Sequence, residues 1–91
     1  MKEQDLKDEI NKADELIRKY VGFYHAREED CPADFKFLML MNNWTSPFIA
    51  LNELLKVIDT DKMLLKRIGI KIKTNYTELQ QLLQNAKRIY Q

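Results

Sequence analysis

The stretch EQDLKDEINKADELIRKYVGFY, residues 3–24, sets Leu6, Ile10, Ala13, Ile17, Tyr20 and Tyr24 at alternating spacings of four and three. Side chains at that spacing share one face of an α-helix, and Leu16, Val21 and Phe23 widen the stripe. Four acid-to-base pairs in the favourable order, Glu3 to Lys7, Asp8 to Lys12, Asp14 to Arg18 and Glu15 to Lys19, decorate the outer faces at ~0.3 kcal/mol each. A helix over roughly residues 3–28 would be about 40 Å long, enough to span a small domain.

Pro32 suits a first helical position, with Asp30 or Cys31 at the cap and Asp34 in the acid-favouring first turn, so a second helix is expected over 32–43. Its run Phe35-Lys36-Phe37-Leu38-Met39-Leu40-Met41 is apolar at six of seven positions. Such a helix is either buried all round or sticky. Asn42-Asn43-Trp44-Thr45 breaks the pattern, and Ser46-Pro47 is a cap followed by a first-turn proline.

Phe48, Leu51, Leu54, Leu55 and Ile58 mark a third helix over 47–59, ended by Asp59-Thr60-Asp61, whose short polar side chains compete with the helical backbone. Leu65, Ile68, Ile72, Leu79, Leu82, Ala86 and Ile89 then keep a three-and-four spacing if Asn75 is counted as a seam position, which favours one long helix over 61–90. The rival is a break near Gly69 to Asn75, where Ile70-Lys71-Ile72-Lys73 alternates and Asn75 with Glu78 resembles a fresh capping box. The expected architecture is an all-α, compact antiparallel bundle of about four helices in a single domain over residues 1–91.

The inventory excludes more chemistry than it suggests. With 91 residues, 45% hydrophobic and 32% charged, the chain has the composition of one globular core. Fifteen bases against fourteen acids give a net charge of +1, so any electrostatic function must be local. Cys31 has no second cysteine, which implies a reduced, cytoplasmic setting. The charged start lacks a signal peptide's apolar stretch, and no run reaches the ~18 apolar residues of a membrane span. His25 and Cys31 are too few for a zinc site, and the acids between them raise rather than lower a thiol pKa. Asp59-Thr60-Asp61 lacks the glycine and the distal Glu of a calcium loop, and Gly22 and Gly69 are too far apart to cradle phosphate. No catalytic residue, cofactor or metal is implied.

Two stretches remain as partner-binding candidates. Residues 1–45 hold seven bases and ten acids, residues 46–91 eight bases and four acids. Lys62, Lys66, Arg67, Lys71 and Lys73 form a block free of acids, with Met63 and Ile70 between its cationic stripes; an apolar strip edged by cations suits an acidic amphipathic helix. The plain alternative is a solvated face with Met63 and Ile70 turned into the bundle. Phe37, Met39, Met41 and Trp44 form the second patch, large and adaptable in contact but equally suited to the core of so small a domain. Gly69 suits a hinge, a close helix approach or a helix break, and His25 with Glu29 suits a helix-surface pair.

The expected function is that of a small, non-enzymatic protein-binding or regulatory protein. Inhibitors, antitoxins, immunity proteins, adaptors and phage regulators share this physical class. Its partner would be another protein, with nucleic-acid or acidic-surface binding through Lys62 to Lys73 as the alternative; a homodimer is open to a chain with an overhanging last helix.

Overall fold

The computed structural model describes residues 3–72 and 75–89. It is an all-α bundle of four helices: α1 Glu3–Tyr20, α2 Ala33–Met41, α3 Pro47–Arg67 and α4 Tyr76–Ile89. Helices α1 and α3 form the central pair, and α4 packs on both and on the short 3₁₀ turn Val21–Phe23 that follows α1. The entire α1 seam, Leu6 through Tyr24, is buried, and it meets Leu51, Leu54, Leu55, Ile58 and Leu65 of α3 in one continuous apolar cluster.

Helix α1 ends earlier than its stripe implies. Val21 is β-branched and Gly22 a poor helix former, so the chain tightens into a 3₁₀ turn and bends through His25 and Ala26 to a second turn at Glu28–Asp30. Tyr20 holds this corner. Its ring stacks on Phe35, centroids 4.2 Å apart and 2° from parallel, and its hydroxyl donates to the Asp34 carboxylate at the start of α2. Tyr24 is fixed by Asn52 of α3, whose Nδ2 donates to the tyrosine oxygen at 3.1 Å. Because His25 lies beyond α1, the helix-surface relation expected between His25 and Glu29 does not apply; His25 sits edge-on to Tyr24.

Pro32 caps α2 in an extended conformation, one residue before the expected position, and its carbonyl accepts from Lys36. The Ser46 hydroxyl accepts from the Ile49 amide at 3.2 Å and Pro47 occupies the first turn, as the sequence predicts.

Two expectations are corrected in the second half. The break at Asp59-Thr60-Asp61 is absent, and α3 runs through it to Arg67. Three short polar residues cost a helix interior about 1.5–2 kcal/mol relative to alanine, and burying Leu65 one heptad beyond Ile58 offsets that by ~2 kcal/mol. The break falls instead at Gly69, and a separate α4 begins after Asn75. Asn75 accepts from the Glu78 amide at 3.1 Å as an N-cap, so it has no register role in a continuous helix. With the register restarted, α4 buries Leu79, Leu83 and Ala86 and leaves Ile89 exposed.

Helices α2 and α3 end in the same way. Trp44 N–H reaches the Met39 carbonyl at 2.9 Å and Asn43 N–H the Leu40 carbonyl at 3.2 Å, with Asn43 at φ 58°. Ile70 N–H reaches Leu65 at 2.9 Å and Gly69 N–H reaches Lys66 at 3.2 Å, with Gly69 at φ 84°. Both are Schellman motifs, in which a left-handed residue closes the helix and the next apolar side chain covers the last turn.

Candidate docking surfaces

The Schellman ends decide the fate of several candidate residues. In this motif the residue after the left-handed one packs toward the third residue from the helix end. Those pairs are Trp44 with Met39, and Ile70 with Leu65. Met39 and Leu65 are fully buried, while Trp44 and Ile70 are half-buried against the core. Met39 is therefore withdrawn from the second-helix patch, and Ile70 is a helix cover more than a contact for a partner. Gly69 makes no close helix approach, because a methyl group at its Cα would meet open space.

What stays outside is a different, tighter set. On α2, Phe37 is 63% exposed, Leu40 70% and Met41 66%, while Phe35 and Met39 point inward. Spaced by three and four, these three lie on one outward face. The run that had to be buried or sticky is thus split, with its outer half in solvent. At the end of α3, Met63, Leu64 and Ile68 are exposed beside Lys66 and Arg67, and Met63, Lys66 and Arg67 line a shallow depression. Lys62 is half-buried, Lys71 is exposed, and Lys73 lies outside the described residues. The sequence reading missed Leu40, Leu64 and Ile68. Leu40 sat within the undivided α2 run, and Ile68 was placed on a seam that exists only if the helix continues past Gly69.

A groove of about 470 Å³ lies between α1, the end of α2 and the middle of α3. Leu16, Leu38, Trp44, Leu54 and Val57 give it an apolar floor, and Asp5, Asp8 and Glu9 of α1 stand on its rim with Lys12. Its sequence signal is an acid stripe one step around α1 from the buried seam.

Fixed electrostatics cluster at the helix junctions. Asp34 accepts from Tyr20 and, at 3.0 Å, from Lys19, whose expected helical partner was Glu15. The tyrosine hydroxyl first and then Lys19 hold the Asp34 carboxyl below its usual range, while burial, with Asp34 second, pushes the Tyr20 phenol up. Arg18 bonds Asp14 at 2.8 Å, as the helical spacing predicts, and also Glu78 of α4 at 2.7 Å; this second bond lowers the Glu78 pKa. The Arg18–Glu78 and Lys19–Asp34 pairs are largely solvated and serve to join helices. Cys31 is buried, its thiol pushed up by desolvation first and then by Asp30 and Glu28, and its Sγ lies 3.4 Å from the Arg27 carbonyl. A thiol in that setting is a poor nucleophile. Among the described residues, no three His, Cys, Asp or Glu side chains are grouped to hold a metal, and no helix is long and apolar enough to cross a membrane.

Comparison with known proteins adds no relative: no family model, curated protein or solved structure matches the chain.

Proposed function

We propose that the protein is a small regulatory protein of inhibitor or adaptor kind that acts by covering a surface on another protein. The observation that carries this reading is the clustering of exposed apolar area. Among the described residues, six of the eight large apolar side chains left in solvent fall on the outer face of α2 or at the cation-edged end of α3. A small bundle gains nothing for its own stability by holding Phe37, Leu40 and Met41 in water, and clustered patches of this kind are typical of protein contact sites. Burying the three against a partner would contribute about 1.5–3 kcal/mol each before the cost of association. Lys66 and Arg67 would orient the partner and set the encounter rate.

The test is capture of partners from host lysate by wild type, by a Phe37→Ser/Leu40→Ser/Met41→Ser variant and by Lys66→Glu/Arg67→Glu. Each is first checked for an unchanged helical circular-dichroism spectrum. The proposal expects capture that survives nuclease and ~0.5 M salt and is lost in one or both variants. Capture that nuclease abolishes and salt steeply weakens would assign the activity to nucleic acid and the basic block Lys62 to Lys73. Capture indifferent to both variants would remove these faces from consideration.

A further inference from the structure

We infer that the α1 groove is a second binding site, on a surface separate from the two apolar patches, and that it takes a cationic amphipathic helix of another protein. Asp5, Asp8, Glu9, Lys12 and Leu16 follow one another at helical spacing, so they form a stripe about 16 Å long beside the buried seam, which it meets at Ala13. The stripe is acidic at its N-terminal end and apolar at Leu16. Across from it, Leu38 and Trp44 come from the end of α2, and Leu54 and Val57 from the middle of α3. All four are accessible in part or line the opening, and the floor has room for a few leucine-sized side chains.

The charge on the rim is only partly explained by the fold: Lys12 stands at helical spacing from Asp8 and Glu9, but the Asp8–Lys12 ion pair that the spacing predicts is not among the ion pairs of the described residues. Asp5 sits in the first turn, where the helix dipole favours an acid, but Asp8 and Glu9 lie in the second turn, where that effect has faded. Asp5 and Glu9 are also one turn apart on the same face, a like-charge arrangement that opposes helix formation. Among the described residues no cation lies within 4.0 Å of Asp5, Asp8 or Glu9; Asp8 accepts a neutral hydrogen bond from Gln4 at 2.9 Å. Among the described residues these three carboxylates make no ion pair, and they border an apolar trough of about three helical turns. An occupant of complementary chemistry has apolar side chains at i, i+3, i+4 and i+7 for the floor, and Lys or Arg flanking them to meet the rim.

Trp44, the chain's single tryptophan, lies in the trough and reports its occupancy. The experiment titrates the full chain with two synthetic helical peptides of about four turns that share one leucine pattern and carry either Lys or Glu on the polar face. The expected result is a saturable change in Trp44 emission with the Lys peptide and little with the Glu peptide. Asp5→Lys/Asp8→Lys/Glu9→Lys should reverse that preference, and the neutral Asp5→Asn/Asp8→Asn/Glu9→Gln variant, which spares the fold from new repulsions, should weaken the Lys peptide at least about tenfold. No saturable change with the Lys peptide, or equal binding by the neutral variant, would overturn the assignment. Sedimentation of the chain alone at two concentrations completes the test: self-association that the neutral variant abolishes would put a second copy in the groove and overturn it as well.

Discussion

At Gly69 the backbone takes φ 84°, and the next amide, that of Ile70, closes on Leu65. An L-residue there places its Cβ against its own carbonyl, which costs about 1–2 kcal/mol, although a methyl group would meet nothing else. Gly69→Ala should therefore destabilise by about that amount, read as a lower urea midpoint with an unchanged slope. Gly22 is the control: it lies in an open 3₁₀ turn without a left-handed φ, so Gly22→Ala should be neutral or stabilising by less than about 1 kcal/mol. Equal effects at the two glycines would refute the conformational argument. Asn43 occupies the equivalent position after α2 at φ 58°, a residue type that tolerates it. The junction between α1 and α2 adds a dependence on pH. Asp34 has a folded-state pKa below its usual value, set first by Tyr20 and then by Lys19. Its contribution is present above the unfolded carboxyl range and is lost as pH falls through the folded value. Wild type should lose stability as pH falls through and below the ordinary carboxylate range, and Asp34→Asn should flatten that part of the curve. A variant whose urea midpoint falls with acid as steeply as wild type would show that Glu78 and the remaining acids carry the effect.

Among the elements, legibility followed the length of uninterrupted periodicity. The α1 seam was readable to the last residue because a buried stripe against one neighbour leaves a clean three-and-four signature, and the Ser46-Pro47 start of α3 was readable because capping chemistry is local. The real helix ends after Tyr20 and at Gly69, and the absent one at Asp59 to Asp61, differ from the local reading for one physical reason. Local preference and tertiary burial compete there, and the sequence shows only the first. At Asp59 to Asp61 burial of Leu65 wins; at Gly69 the left-handed turn wins, and the pattern Leu65, Gly69, Ile70 was its visible signature. The docking residues follow the same logic. Met63, Lys66, Arg67, Phe37 and Met41 are placed on the surface, whereas Met39 is spent on the core and Ile70 and Trp44 cover helix ends. The separateness of α4 has its own test. Asn75 caps its first turn, while Glu78, the expected reciprocal partner in a capping box, is turned toward Arg18 of α1. Asn75→Ala should cost about 1 kcal/mol and fray the start of α4, seen as faster amide exchange over Tyr76 to Leu79. A continuous helix through this region would show no such local effect.

Over the whole molecule, shape explains why the apolar α2 is left half in solvent. The backbone measures 40 × 27 × 16 Å, and its radius of gyration of 13.5 Å exceeds the roughly 12 Å of a compact chain this long. A depth of 16 Å accommodates two layers of helix axes about 8–10 Å apart and no third layer to cover an outer face. Helices α1, α3 and α4 approach one another closely, whereas α2 is held mainly by the Phe35 and Met39 side chains and by Asp34 at its start. At nine residues it is too short to be stable by itself. It should therefore open by local unfolding, with a free energy well below that of the α1–α3 pair. Native-state hydrogen exchange measures this directly: amides of Lys36 to Met41 should exchange before those of Leu51 to Ile58, and low denaturant should leave the difference intact. Phe35→Ala should widen the gap, because it removes the ring stacked on Tyr20 while sparing the contacts between α1 and α3. If α2 exchanges only through global unfolding, its apolar outer face is a rigid platform. If it opens first, Phe37, Leu40 and Met41 belong to a segment that can repack on the protein it meets, and partner binding should slow exchange there more than anywhere else in the chain.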